Sequence, residues 1–336
     1  MSHFAVMVIT PTVPTKLELD LILQPWHEFE CTGIDDEYIQ DVDITADVLE
    51  QYEKDTTTVL QDPQGKLHTV FGVDGGYKDE FAETDPDATY RRRFKIPPGW
   101  AKTEAPTKNF ETAAQFGCGY FGGNVLLPGQ ERGEEHQYGY ALVDENGELV
   151  KMVDRTNPNK KWDWWVVGGR WSGHLKLKDG SAVDQCLMRD LDLHGMRREA
   201  SKDAEEIWQK VTAAVEGLPE FKTWEELGEY TDTKRDTYHN QPAIKALRGA
   251  FPDNWGIDDE IRAARSTFEE FKQFKANQAI CTFAMVHQGQ WMERGEMGWF
   301  ACVSNKIDED DWAGQFNAVI DSLPADVCLT VVDCHI

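Results

Sequence analysis

Four of the chain's twelve tryptophans crowd into residues 161–173, Lys-Trp-Asp-Trp-Trp-Val-Val-Gly-Gly-Arg-Trp-Ser-Gly. Arg170 beside Trp171 offers a planar fork of N–H donors next to a flat apolar face. That pairing suits a carboxylate, a phosphate or a stacked ring. Trp164 or Trp165 would supply a stacking wall. Gly168 and Gly169 would let the backbone turn or approach another group closely. A nucleotide-like anion needs one positive fork and one flat face. Sugar binding suits the indoles almost as well, and a core strand with an aromatic anchor and a structural arginine fits the same residues.

A second group precedes an acidic run. His27, Glu28 and Glu30 could supply acid–base groups if their loop folds over the tryptophan sheet. From residue 28 to residue 55 there are eleven acids and one base, Lys54. Glu28 and Glu30 would share a face of an extended chain, as would Asp41 and Asp43. Paired oxygens at that spacing suit Mg²⁺ or Ca²⁺, so a divalent metal is one candidate cofactor; a solvated acidic edge is the other reading. His335, next to last, would be catalytic only with its chain end held against a pocket, and otherwise marks a strand terminus. Arg91-Arg92-Arg93 is a compact basic cluster that fits either a phosphate or nearby acids.

Several chemistries are not written in the chain. There is no G-x-S-x-G elbow, no H-E-x-x-H helix and no phosphate-cradling P-loop. Residues 116–123 hold four glycines among aromatics but miss the dinucleotide fingerprint. The seven cysteines are scattered without a C-x-x-C pair, which argues against a zinc knuckle and for a reducing cytoplasm. No signal peptide or long apolar span is expected. The net charge of -26 disfavours direct binding to nucleic acid or anionic membrane and suits a cationic partner.

The elements that must position these residues read as α+β. Residues 3–10 are a near-continuous apolar run, a central strand, and 17–23 suit a short helix. Two strands at 138–143 and 149–153 flank Asn146-Gly147, a tight hairpin turn. With the tryptophan strand at their centre they predict a small antiparallel sheet over 138–187. Residues 201–278 are helical, with the longest helix expected at 257–279. The C-terminal part reads ββαβ: strands at 280–287 and 298–304, a helix opened by Asp308, and a strand at 327–333. Adding the N-terminal strand and helix gives a ferredoxin-like split βαβ sheet formed by the N- and C-terminal segments. Residues 1–30 and 279–336 would form that core. Residues 31–200 would be an inserted β-rich region carrying the Trp/Gly-Gly-Arg motif, and 201–278 a helical region.

At its opening Met-Ser-His-Phe-Ala-Val, at residues 26–33, at Trp162-Asp163-Trp164-Trp165 with Gly168-Gly169-Arg170-Trp171, and at its closing Asp-Cys-His-Ile, the chain resembles a family of uncharacterised bacteriophage and prophage proteins. The resemblance implies a viral accessory setting in the host cytoplasm and assigns no reaction or residue role. Two functions follow as expectations. One is a pocket protein that binds or hydrolyses a nucleotide-like small anion, such as a host immune signal, as counter-defence. The other is an acidic, nucleic-acid-mimicking inhibitor of a basic host protein. Whether the protein is an enzyme stays open at this point.

Overall fold

The computed structural model describes residues 2–71, 78, 82–84, 92–254, 256–298 and 302–336. The chain divides into two units, one formed by residues 1–24 with 161–336 and the other by residues 25–160.

The first unit is organised on strand β1, His3–Thr10. Every residue from Phe4 to Thr10 is buried, as a strand covered on both faces requires. The last strand of the chain, Cys328–His335, is buried throughout and pairs antiparallel with β1 along its whole length. In chain order we number the main elements β1, α1 (Lys16–Leu23), β2 (Trp164–Val167), β3 (Gln185–Leu187), α2 (Leu193–Val215), β4 (Ala284–His287), β5 (Gln290–Glu293), α3 (Glu309–Ser322) and β6 (Cys328–His335). The sheet runs β2-β6-β1-β4-β5, with β3 also paired to β6.

Alternation along β1 and β6 divides the sheet into two faces. Met7, Ile9, Leu329 and Val331 pack with Trp312, Phe316 and Ile320 of α3. Trp165 lies opposite Cys334, which lies opposite Phe4, so these three share the other face. There Lys16 Nζ of α1 sits 4.8 Å from the Trp165 ring centroid, and Leu19 and Leu23 of α1 are buried. The helices α1 and α3 therefore cover opposite faces.

The α+β class and the sharing of one sheet by the two chain ends stand as expected. The strand order has its own form: β1 and β4 pair directly and in parallel, so no strand splits them. The tryptophan strand also finds a different partner. It pairs with β6, not with a 138–153 hairpin, which places the Gly-Gly-Arg motif in the same unit as the chain ends rather than in the insert.

Helices complete this unit. The α2 helix packs with Pro242–Ala250, Asp258–Arg265 and Phe268–Gln278 around Val211, Ile244, Leu247 and Phe271. The single long helix expected at 257–279 is two helices. Thr267 interrupts it because its hydroxyl caps the Glu270 N–H, while Glu270 reaches back to the Thr267 N–H. Glu226 receives two bonds of 2.8 Å from Arg265, which hold its carboxyl down at about 2, well below its ordinary 4.5. A depressed folded-state value stabilises above the unfolded one. The contribution of this pair is therefore expected to be complete above pH 4.5 and lost as pH falls towards 2. Urea midpoints of wild type and Glu226→Gln should differ at neutral pH and converge across that window.

The second unit holds a sheet of Gln40–Asp43, Leu149–Thr156, Gly139–Val143 and Asn124–Leu126. Helices Thr45–Lys54 and Ala113–Phe121 contribute to a core with Val48, Phe116, Ala141 and Met152. The expected Asn146-Gly147 hairpin is present, with Gly147 at φ +83°. The glycine-rich run 116–123 is helical up to Phe121. Gly117 admits the close packing there: a Cβ would sit 3.1 Å from Met152 Sδ and 3.2 Å from Val48.

Arg91 and the side chains of Arg92 and Arg93 lie outside the described residues, as does the part of the expected strand 298–304 at 299–301. Among the described residues no helix is long and apolar enough to cross a membrane. The seven cysteines are free.

Candidate functional site

His3 opens β1 and His335 closes β6, and the antiparallel register sets them opposite each other. Their ring centroids are 4.8 Å apart at an interplanar angle of 75°. By alternation both belong to the face that carries Met7 and Val331, so its residues change from apolar under α3 to polar at this end.

Each imidazole is held by its own carboxylate. His3 Nδ1 lies 2.9 Å from Asp333 Oδ1, and His335 Nδ1 lies 2.7 and 2.8 Å from the two oxygens of Asp163. A carboxylate only accepts, so each neutral ring carries its hydrogen on Nδ1 and leaves Nε2 as a bare lone pair. Neither Nε2 has a hydrogen-bond partner among the described residues.

The Gly-Gly-Arg-Trp turn builds this arrangement. Asp333 is 2% exposed, and its second oxygen accepts the Arg170 backbone N–H at 3.0 Å. A Cβ on Gly169 would stand 2.4 Å from that oxygen, and one on Gly168 would stand 2.3 Å from Asp184 Oδ2. Asp184 in turn accepts from Ser172 Oγ at 3.1 Å and the Gly173 N–H at 2.6 Å. Both glycines are in the left-handed half of φ, at +72° and +53°. The pair is thus required twice over, for backbone conformation and for the approach of two carboxylates.

Trp164, opposite His335 in the register, stacks on its ring at 5.1 Å and 15°, and meets His3 edge-on at 5.3 Å. It stays 44% exposed, so part of the indole is open to a ligand. The Arg170 side chain is exposed, and no carboxylate among the described residues forms an ion pair with it.

Of the residues expected from sequence, His335 and Trp164 therefore come together, and Arg170 joins them through its backbone N–H on Asp333. Trp165 does not join them: it faces the other side of the sheet, under Lys16. Trp171 turns to the core around Met7 and Phe316 and lines a separate cavity. His3, Asp163 and Asp333 were not anticipated. Their signal was the pairing of the chain ends, which sets His3 across from His335, with Asp333 two residues from it on the same face.

The remaining candidates lie in the second unit. His27 is fully buried, with Nδ1 2.6 Å from Thr32 Oγ1 and Nε2 3.2 Å from Asp36. Glu30 accepts from Lys160 at 2.6 Å and from Thr156 at 2.7 Å, and Glu28 lies 3.6 Å from Lys160. Asp41 accepts from Arg132 at 2.9 Å and from Arg155 at 3.0 Å, one on each oxygen. Asp43 accepts the Thr45 N–H and hydroxyl at the start of its helix. Asp41 and Asp43 share a strand, and two guanidinium groups occupy the two oxygens of Asp41. Ion pairing satisfies this acidic run more than bare solvation does.

No protein-family model, curated protein or solved structure matches the chain.

Proposed function

We propose that the first unit binds and hydrolyses a phosphate ester of nucleotide type, with His3 and His335 as its acid–base pair. One observation carries this reading: two facing imidazoles, each tied through Nδ1 to a carboxylate, each with Nε2 uncommitted. One neutral Nε2 would take a proton from the attacking water as its oxygen bonds to phosphorus. The other ring, protonated, would give its proton to the departing ester oxygen. A carboxylate on Nδ1–H fixes the tautomer and stabilises the imidazolium. Arg170 would hold the phosphate, and the open part of Trp164 would stack the base.

The setting proposed with this activity is counter-defence in the host cytoplasm, with a nucleotide signal as substrate; the resemblance to bacteriophage proteins bears on the viral setting alone and not on the substrate. The rival reading, an acidic mimic that occupies a basic host protein, rests on net charge, and the pairing of Asp35, Asp41 and Glu30 with cations weakens it.

Turnover of a panel of phosphodiesters, mononucleotides and cyclic nucleotides tests the proposal. Trp164→Ala is expected to raise KM about tenfold or more, as the loss of one stacked base does. A panel with neither turnover nor saturable binding would contradict the proposal.

A further inference from the structure

A cavity of about 370 Å³ opens beside the same turn, lined by Trp171, His174, Lys176, Met196, Glu199 and Asp203 among others. Its volume falls in the range of small-molecule sites, about 300–1,000 Å³. The wall and floor are made differently. Trp171 presents a flat indole, with Met196 beside it. Glu199 and Asp203 stand four residues apart on α2, hence on one helix face.

His174 supplies the most specific feature. Its Nε2 lies 3.3 Å from the Ile280 carbonyl oxygen, which can only accept. Nε2 therefore carries the hydrogen, and Nδ1 is an acceptor with no partner among the described residues. Burial pushes the ring's pKa down, with Lys176 adding to the effect against the pull of the Ile280 bond, so the ring is neutral at pH 7. His174, the two carboxylates and the Lys176 ammonium thus line one cavity with the Trp171 indole.

We infer that this cavity is a binding site for a guanine-type base. Guanine offers groups complementary to a carboxylate, to the Lys176 ammonium and to the indole. Its N1–H and N2–H₂ are adjacent donors that suit a carboxylate, its O6 is an acceptor for Lys176, and its ring stacks on Trp171. Adenine offers a single exocyclic donor on that edge and no carbonyl. The site does not require the histidine pair to be catalytic, because it stands on other side chains.

The test uses guanosine and adenosine, which lack phosphate, with the full chain. Guanosine is expected to raise Tm in a saturable way while adenosine at the same concentration leaves it unchanged. Trp171 packs against the core, so its replacement could unfold the chain; the exposed pair Glu199→Gln with Asp203→Asn is used instead. That double variant should keep its own Tm and lose the guanosine shift at least tenfold in concentration, whereas His3→Ala should retain it. No guanosine shift, an equal adenosine shift, or a shift that survives the double variant would each overturn the inference. Phosphodiester turnover measured on the same samples reports separately on the histidine pair.

Discussion

Replacing His335 with alanine is expected to lower kcat for a phosphodiester such as bis(4-nitrophenyl) phosphate by about 10²–10⁴-fold, the usual contribution of a positioned acid or base. His335 is mostly buried, stacked on Trp164 and bonded to Asp163, so alanine also removes packing and leaves that carboxylate without its donor. His335→Asn separates the two effects. Its side-chain amide can still donate to Asp163, which preserves the local bond, but it has no group at the Nε2 position. The asparagine variant should therefore stay folded with a Tm close to wild type and be as inactive as the alanine variant. Activity within about threefold of wild type in a folded His335→Asn protein would remove His335 from the chemistry.

Gly169→Ala is expected to destabilise the first unit by about 2–4 kcal/mol and to impair turnover with it. A non-glycine residue in the left-handed region costs about 1–2 kcal/mol, and Gly169 sits at φ +53°. The added methyl would also meet Asp333 at 2.4 Å from Oδ2 and 2.5 Å from Cβ. Asp333 lies in the middle of a sheet and cannot retreat, so its bonds to His3 and to the Arg170 N–H would be disturbed together. Gly147→Ala is the matched comparison. It has φ +83° and open space around a Cβ, so only the conformational cost of about 1–2 kcal/mol applies. Urea denaturation of the two variants should show the larger loss at Gly169; equal losses would mean that the approach of Asp333 does not matter.

These two residues also show how far the sequence could be read. The apolar run of β1 and the ββαβ order at the C-terminus follow from side-chain burial, and they suffice to bring the two chain ends into one sheet. The Gly-Gly-Arg motif stands out by composition, and the need for a close backbone approach at its glycines was legible. What approaches was not, because Asp333 lies 164 residues beyond Gly169 and only the β2–β6 pairing joins them. His3 was hidden for the same reason: as a lone histidine at a strand start it has no spacing signature. Trp165 and Trp171 misled because strand alternation and the turn after Val167 send neighbouring indoles to different places. The break at Thr267 was written locally, in Thr267 and Glu270, but hydrophobic periodicity ran through it and masked the cap.

The central claim is that two imidazoles present bare Nε2 atoms to one phosphoryl group. Nitrogen-15 NMR of the histidine rings tests it most directly, since it reports which nitrogen carries hydrogen and which one a ligand touches. In the neutral form His3 and His335 should both show hydrogen on Nδ1, and adding a phosphodiester or vanadate should shift both Nε2 resonances along one saturable curve. Hydrogen on Nε2 in either ring, or Nε2 resonances that ignore the ligand while the protein binds it elsewhere, would contradict the account.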